Sequence, residues 1–323
     1  MLINRMFINK IKTMKYGLIL LSLVVISTAT AQQEQMYTHY DFNSMAMNPG
    51  YTGSKRTLVA NALSRTQWTE LPGAPRYQNF AVHSPLVNDF AVGLNFQTGK
   101  IGKFQVASPF SETQIAGNIA YHKQLAEDLT LSVGLRLGVY NYKAELSKIK
   151  LNNGTDVGFT NNDYSISSPM TGFGAYLYSS KYFVGVSAPR MVFVNPDVRN
   201  NYNVEYAAQV HYYLTGGVVL DAGTDLKIKP TTQIKFTDGA PVLADFNVHA
   251  IYKDKFSLGA FYRTSNTAGI MANAIANDNF TIFYSFDTVL GDIGQYVRGS
   301  HEIGVQFMVP YYENSKVRVP RYF

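Results

Sequence analysis

Apolar and polar residues alternate with a period of two along most of the chain, and the repeating unit is clearest from Val242 to Thr264. Val242, Ala244, Phe246, Val248, Ala250 and Tyr252 are apolar, whereas Leu243, Asp245, Asn247, His249 and Ile251 between them are mostly polar. After a turn at Lys253-Asp254-Lys255, Phe256, Leu258, Ala260 and Tyr262 stand against Ser257, Gly259, Phe261 and Arg263. Such alternation sends the two sets to opposite faces of a β-hairpin. Each arm has about the 9–11 residues that a tilted strand needs to cross a bilayer. The expected fold is therefore all-β: a transmembrane outer-membrane barrel with lipid outside and a wet or plugged lumen inside.

The same pattern recurs elsewhere. Phe90, Val92, Leu94 and Phe96 alternate with Ala91, Gly93, Asn95 and Gln97. Leu129 to Val139 sets leucine and valine against Thr130, Ser132, Gly134 and Arg136. Leu226, Ile228, Ile234 and Phe236 oppose Lys227, Lys229, Gln233 and Lys235, with Pro230 marking a bulge or bend. A basic side chain facing lipid at the midplane costs about 2–4 kcal/mol. That cost turns Arg136 and Lys229 inward, and the period carries His249 inward as well. Thr57–Trp68 alternates poorly.

Fourteen antiparallel strands are expected, near 57–68, 76–84, 90–99, 111–122, 129–142, 170–178, 182–188, 208–221, 226–237, 241–252, 256–264, 267–276, 279–287 and 300–310. Links after even-numbered strands are short and polar, among them Asn88-Asp89, Glu127-Asp128, Ser180-Lys181 and Asn277-Asp278. The long links, near 99–110, 143–169, 189–207 and 288–299, follow odd-numbered strands. Membrane barrels keep short turns in the periplasm and long loops outside. Both chain ends are then expected on the periplasmic side. If Tyr252 lies opposite Phe256, antiparallel pairing sets Asp245 against Arg263 in the lumen, as a structural ion pair or as part of a polar channel lining.

Composition refines this picture. Charged residues are 15%, below the roughly 25% typical of soluble domains. The formal charge of +6 overstates the basic character. Residues 1–31 hold Arg5, Lys10, Lys12 and Lys15 and no acid, so 24 of the 28 basic residues remain against 22 acidic ones, leaving +2. A nearly neutral chain offers no electrostatic case for nucleic acid. The basic start, the apolar run Gly17–Ile26 and Ala29-Thr30-Ala31 before Gln32 match a signal peptide cleaved between Ala31 and Gln32. Met14 is a second possible start. The expected domains are this leader (1–31), a periplasmic or lumenal segment (32–56), the barrel (57–310) and a basic periplasmic tail (311–323). With no cysteine in the chain, targeting rather than redox chemistry indicates the compartment: the outer membrane of a Gram-negative cell after Sec export.

Candidate chemistry is sparse. His39, His83, His122, His211, His249 and His301 show no metal-ligand spacing, and neither GxSxG nor a P-loop occurs. Gly172-Phe173-Gly174 lacks the third glycine of a dinucleotide loop and on a strand makes room for large neighbours. No cofactor is implied, and the expectation is a non-enzyme. A membrane hydrolase would need a serine and a histidine converging near 3 Å on one rim. Trp68 is expected as an interface anchor in an aromatic belt, with a partner-contact surface as the alternative.

Several stretches together resemble the PorP/SprF family of Bacteroidota outer-membrane proteins. They are Gln35-Met36-Tyr37 through Asn48-Pro49-Gly50-Tyr51-Thr52-Gly53-Ser54, Arg65–Trp68, Pro72-Gly73-Ala74-Pro75 and His83–Leu86. Lys229-Pro230, Asp238–Pro241, Lys253–Phe256, Tyr262-Arg263, Gly299–Ile303 and Pro320–Phe323 continue the series. Gly50 departs from the alanine usual in the family. The resemblance implies a fatty-acid-porin-like barrel of type IX secretion and gliding motility. It also implies partners: secretion machinery components, outer-membrane lipid, and a secreted cargo protein with a C-terminal sorting domain. An outer-membrane channel or hydrophobic small-molecule transporter is the alternative, and it requires an open polar lumen rather than one plugged by Gln32–Ser54.

Overall fold

A computed structural model describes residues 35–102, 108–148, 163–193, 209–277, 279–309 and 322–323. Its first strands are β1 (Leu58–Thr66), β2 (Arg76–Pro85), β3 (Phe90–Ile101), β4 (Phe110–Ala126) and β5 (Leu129–Ala144). Next come β6 (Tyr164–Tyr178), β7 (Tyr182–Val192), β8 (His211–Val218), β9 (Leu220–Asp221) and β10 (Leu226–Thr237). The last are β11 (Leu243–Tyr252), β12 (Phe256–Arg263), β13 (Thr267–Ile275), β14 (Phe280–Val289) and β15 (Ser300–Val309). Neighbours pair antiparallel, β15 returns to β1 and β11 pairs with β10, so the sheet closes on itself.

β8 and β9 are two pieces of one stave, giving fourteen in all. Both face β10 in one register, with Thr231 opposite Gly217 and Ile228 opposite Leu220. The gap falls beside Pro230, whose nitrogen carries no hydrogen for the ladder. Pro230 itself pairs in register with Val248, so it interrupts the neighbouring stave without bulging its own. β6 begins at Tyr164, earlier than its outward apolar residues indicate, and pairs with β5 as far as Ala144. There the hairpin extends past the lipid, where the outer face no longer has to be apolar.

Outward residues form a continuous apolar band in which Leu137 is 71% exposed and Leu258 70%. A surface of that size calls for lipid or a partner. Connections of two to four residues follow β2, β4, β6, β9, β11 and β13 and mark the inner, periplasmic rim. The others mark the outer rim; all are longer except the three-residue turn 264–266 after β12. Among the described residues, no helix is long and apolar enough to cross a membrane.

β1 explains its own weak pattern. Val59 and Leu63 point inward and are buried, while small Ala60, Ala62 and Ser64 face outward. Leu63 packs with Tyr37, Met47, Tyr77, Tyr213 and Phe283 in a core inside the barrel. Residues Gln33–Asp238 and Val242–Phe323 make one compact unit. Gly239 turns with a left-handed φ of 74°.

Candidate functional site

The lumen is filled by the segment 35–57, which descends from the outer rim to the inner one. At the top, Gln35 donates from Nε2 to Glu112 Oε1 (2.8 Å), and Tyr140 donates to Glu112 Oε2 (2.9 Å). One level down, the backbone N–H groups of Thr38 and His39 donate to the two oxygens of Glu302 at 2.9 and 2.7 Å. Arg65 gathers the surrounding charge: Asp287 lies 2.7 Å away, Glu302 3.5 Å, and Thr38 Oγ1 accepts at 3.1 Å. All three charged residues are at most 2% exposed. Charges so deep persist only when paired and hydrogen-bonded.

Asp245 and Arg263 stand opposite each other across the β11–β12 hairpin. Arg263 forks onto the carboxylate at 2.7 and 2.8 Å and reaches the Tyr37 carbonyl at 3.5 Å. Both side chains point into the lumen, so this hairpin pair also supports the plug.

The middle of the plug is a helical turn, Ser44–Met47, started by Ser44 Oγ donating to the Tyr40 and Asp41 carbonyls. Its end leaves carbonyls without intrahelical donors. Arg136 supplies them, donating to Met45 O (2.5 Å) and Ala46 O (2.9 Å), while Asn118 Oδ1 fixes its Nε at 2.8 Å. Ser187 donates to Met47 O at 2.7 Å. A cation at a helix C-terminus also opposes the dipole.

Asn48 then caps the 3-10 turn Pro49–Tyr51, its Oδ1 accepting from Gly50 N at 2.8 Å with proline at the first turn position. Its Nδ2 donates outward to the Ala175 carbonyl at 3.0 Å. The wall is hollowed to receive this turn. A Cβ at Gly174 would fall 2.0 Å from Asn48 Oδ1, and one at Gly134 2.3 Å from the Pro49 carbonyl. Below it, Gly53 N donates to His83 Nδ1 (3.1 Å), and His122 Nε2 lies 2.8 Å from Thr52 O.

Two charged plug residues sit on the wall near the bottom. Lys229 Nζ donates to Asp41 Oδ2 at 2.8 Å. Burial pushes the Asp41 carboxyl up, but Lys229, His249 and His39 outweigh it and hold the group well below the usual carboxylate range. Burial pushes the Lys55 ammonium down to about 7, Lys229 adding to the effect and Asp41 opposing it. The C-terminal pair closes the inner mouth, where Phe323 is 4% exposed and its ring lies 4.7 Å from Phe183. The expected free tail therefore ends in a buried aromatic. Two residual cavities beside the plug measure about 10 and 20 Å³, room for roughly one water each.

The expectation that both ends lie in the periplasm needs correction. The barrel starts and stops at the inner rim, but Gln35, the first described residue of the plug, stands at the outer rim against Glu112. Trp68 occupies the outer turn directly after β1, with φ of 50° and its N–H on Ser300 Oγ. Gly73 turns with φ of 85°, Ala74 N bonds Leu71 O and Pro75 O accepts from Gln67 N. The cleavage position Ala31–Gln32, Asp278, and most of the long loops near 143–169 and 189–207 and of the tail 311–323 lie outside the described residues.

Ser257 Oγ lies 3.1 Å from His249 Nδ1, the separation a hydrolase requires. The histidine is 1% exposed and the serine 5%, both within the filled lumen rather than on an open rim. Among the described residues no cluster of three metal-ligating side chains occurs. The sequence pattern gives no hint of Arg65 meeting Asp287, of Lys229 meeting Asp41, or of Arg136 on the helical turn. The inward charges were visible as a class; their partners come from elements distant in the chain.

Comparison with known proteins adds the family. The model of the type IX secretion system membrane proteins PorP/SprF matches residues 29–307. No curated protein matches the sequence. Among solved structures, outer membrane protein Omp33 of Acinetobacter baumannii is 9% identical with a TM-score of 0.45, covering 79% of this chain and 98% of that one. A Pseudomonas aeruginosa FadL homologue is 9% identical with a TM-score of 0.44, covering 82% and 93%. The KdgM porin is 12% identical with a TM-score of 0.37, covering 79% and 99%. The chain is an outer-membrane β-barrel that belongs to the PorP/SprF family of type IX secretion system membrane proteins.

Proposed function

We propose that the protein is a non-enzymatic accessory barrel that helps a particular cargo protein to be exported or held at the cell surface. The cargo on this reading carries a C-terminal sorting domain, and the barrel works beside other type IX components in the outer membrane of a Bacteroidota-type cell, reached through a cleaved leader. The supporting observation is the lumen filled by 35–57, with side-chain and backbone bonds to the wall at every level. A lumen so occupied is poorly suited to passing solutes. It is well suited to holding outer loops rigidly, and loops on a rigid scaffold are good binding elements. Gliding motility is one use of such display; enzyme secretion is another.

The test is deletion of the gene followed by a surface-protein inventory. Loss of one cargo from the surface, with small-molecule uptake unchanged, is expected. Normal display in the deletion strain overturns the proposal, and solute-dependent conductance of the purified barrel in liposomes would favour a channel instead.

A further inference from the structure

We infer that the inner mouth of the barrel is a binding site for an aromatic Tyr-Phe dipeptide, and that Tyr322–Phe323 seated there latches the lower half of the plug. The inference goes beyond cargo display and does not depend on it. Tyr322 and Phe323 are tied to the barrel by three contacts.

The first is apolar. Phe323 packs in one buried cluster with Phe183, Tyr176, Tyr178 and Val219 of the wall and with Met45 and Tyr51 of the plug. The second is polar and holds Tyr322: its hydroxyl donates to Asp254 Oδ1 at 3.0 Å, and Lys227 Nζ stands 5.3 Å from its ring centre. Lys227 is itself fixed on Asp254 at 2.7 Å. The third joins this dipeptide to the plug. Lys229 Nζ donates to the Tyr322 carbonyl at 3.2 Å and to Asp41 Oδ2 at 2.8 Å. One ammonium thus holds both segments, and one apolar cluster contains both.

The site selects by chemistry: an aromatic side chain for the pocket, and a tyrosine hydroxyl and carbonyl for the acid and lysine beside it. Removing the dipeptide would leave Phe183, Tyr176 and Val219 facing water and free Lys229 from one of its two anchors. The plug between Asp41 and Ser54 would then open more often.

The chain has no cysteine, so Ser54→Cys, 2% exposed in the plug, is a clean reporter of opening. Its maleimide labelling is followed in the full-length purified barrel and in the same barrel with Phe323→Ala or without residues 322–323. Heat-modifiable mobility shows that each variant is folded. Labelling about tenfold faster in the variants, and slowed again by added Arg-Tyr-Phe peptide, is expected. Because shortening the chain can impair assembly, a full-length barrel with Phe323→p-benzoylphenylalanine, which keeps an aromatic ring at the position, provides the second measurement, and an intramolecular photo-cross-link to the Tyr176–Phe183 wall is expected. Unchanged labelling in the folded variants, an opened barrel on which the peptide has no effect, or absence of the cross-link would each overturn the latch.

Discussion

Gly134 of β5 lies so close to Pro49 of the plug that a Cβ there would stand 2.3 Å from both the Pro49 carbonyl carbon and its oxygen. Backbone cannot swing aside as a flexible side chain can, so the plug must shift or leave. Overpacking of this kind costs about 1–3 kcal/mol. Gly134→Ala is expected to raise single-channel conductance and to expose the plug to protease. Gly117→Ala is the control, since a Cβ there meets nothing within 4 Å. Equal conductance in both variants would refute the idea that this contact seats the plug.

Asp245 and Arg263 predict a different outcome. Asp245→Ala leaves a guanidinium 2% exposed without its bidentate partner. Breaking a buried pair from one side costs about 3–5 kcal/mol, whereas replacing both partners by apolar residues is often close to neutral. A lower urea midpoint in Asp245→Ala, with substantial recovery in Asp245→Leu/Arg263→Leu, is the expected pattern. If the double variant is no more stable than the single one, the pair holds the barrel by more than its charge.

The plug should also hold more tightly as pH rises. Asp41 faces Lys229, His249 and His39, and its carboxyl is depressed when docked. Its stabilising contribution is therefore present above the free carboxylate value and is lost as pH falls below it toward the docked value. Lys55 faces Lys229 and Asp41, with His83 nearby, and is depressed to about 7 when docked. A depressed ammonium opposes docking below that value, and the opposition fades as pH rises from there toward the ordinary lysine range. Both signs agree. Ser54→Cys labelling is expressed at each pH relative to a free cysteine peptide, whose own reactivity rises with its thiolate fraction. On that scale it should slow from pH 7 toward the ordinary lysine range and quicken below about pH 4, the acidic rise being flattened by Asp41→Asn. Relative labelling faster at pH 9 than at pH 7 would contradict the Lys55 assignment.

Orientation is open to direct measurement. Met36 lies in the top of the plug beside the outer rim, and Glu127 in an exposed two-residue turn at the inner rim. Met36→Cys is expected to react with an impermeant maleimide on intact cells. Glu127→Cys should react only after the outer membrane is permeabilised. The reverse result would invert the barrel and place the start of the plug in the periplasm.

The lipid-facing sets of β3, β5, β11 and β12 are legible from sequence because a polar side chain in acyl chains is costly, so period two is enforced residue by residue. β1 is the instructive exception. Val59 and Leu63 turn inward and are buried, Leu63 against Tyr37 and Met47 of the plug rather than water, so the two faces lose their contrast. A weak strand in an otherwise regular barrel is thus a signal of a filled lumen. The short turns at the inner rim carry the strand count and orientation because loop length tracks the side of the membrane.

Residue order alone determines the alternation, the hairpin registers and hence the Asp245–Arg263 pairing, since each arises between neighbours joined by a short turn. Tertiary structure alone decides that Arg65 meets Asp287, that Arg136 caps Ser44–Met47, and that Lys229 joins Asp41 to Tyr322. Those contacts form between segments far apart in the chain, across a closed barrel. No local period encodes them; they depend on which side chains the closing sheet brings to the same depth.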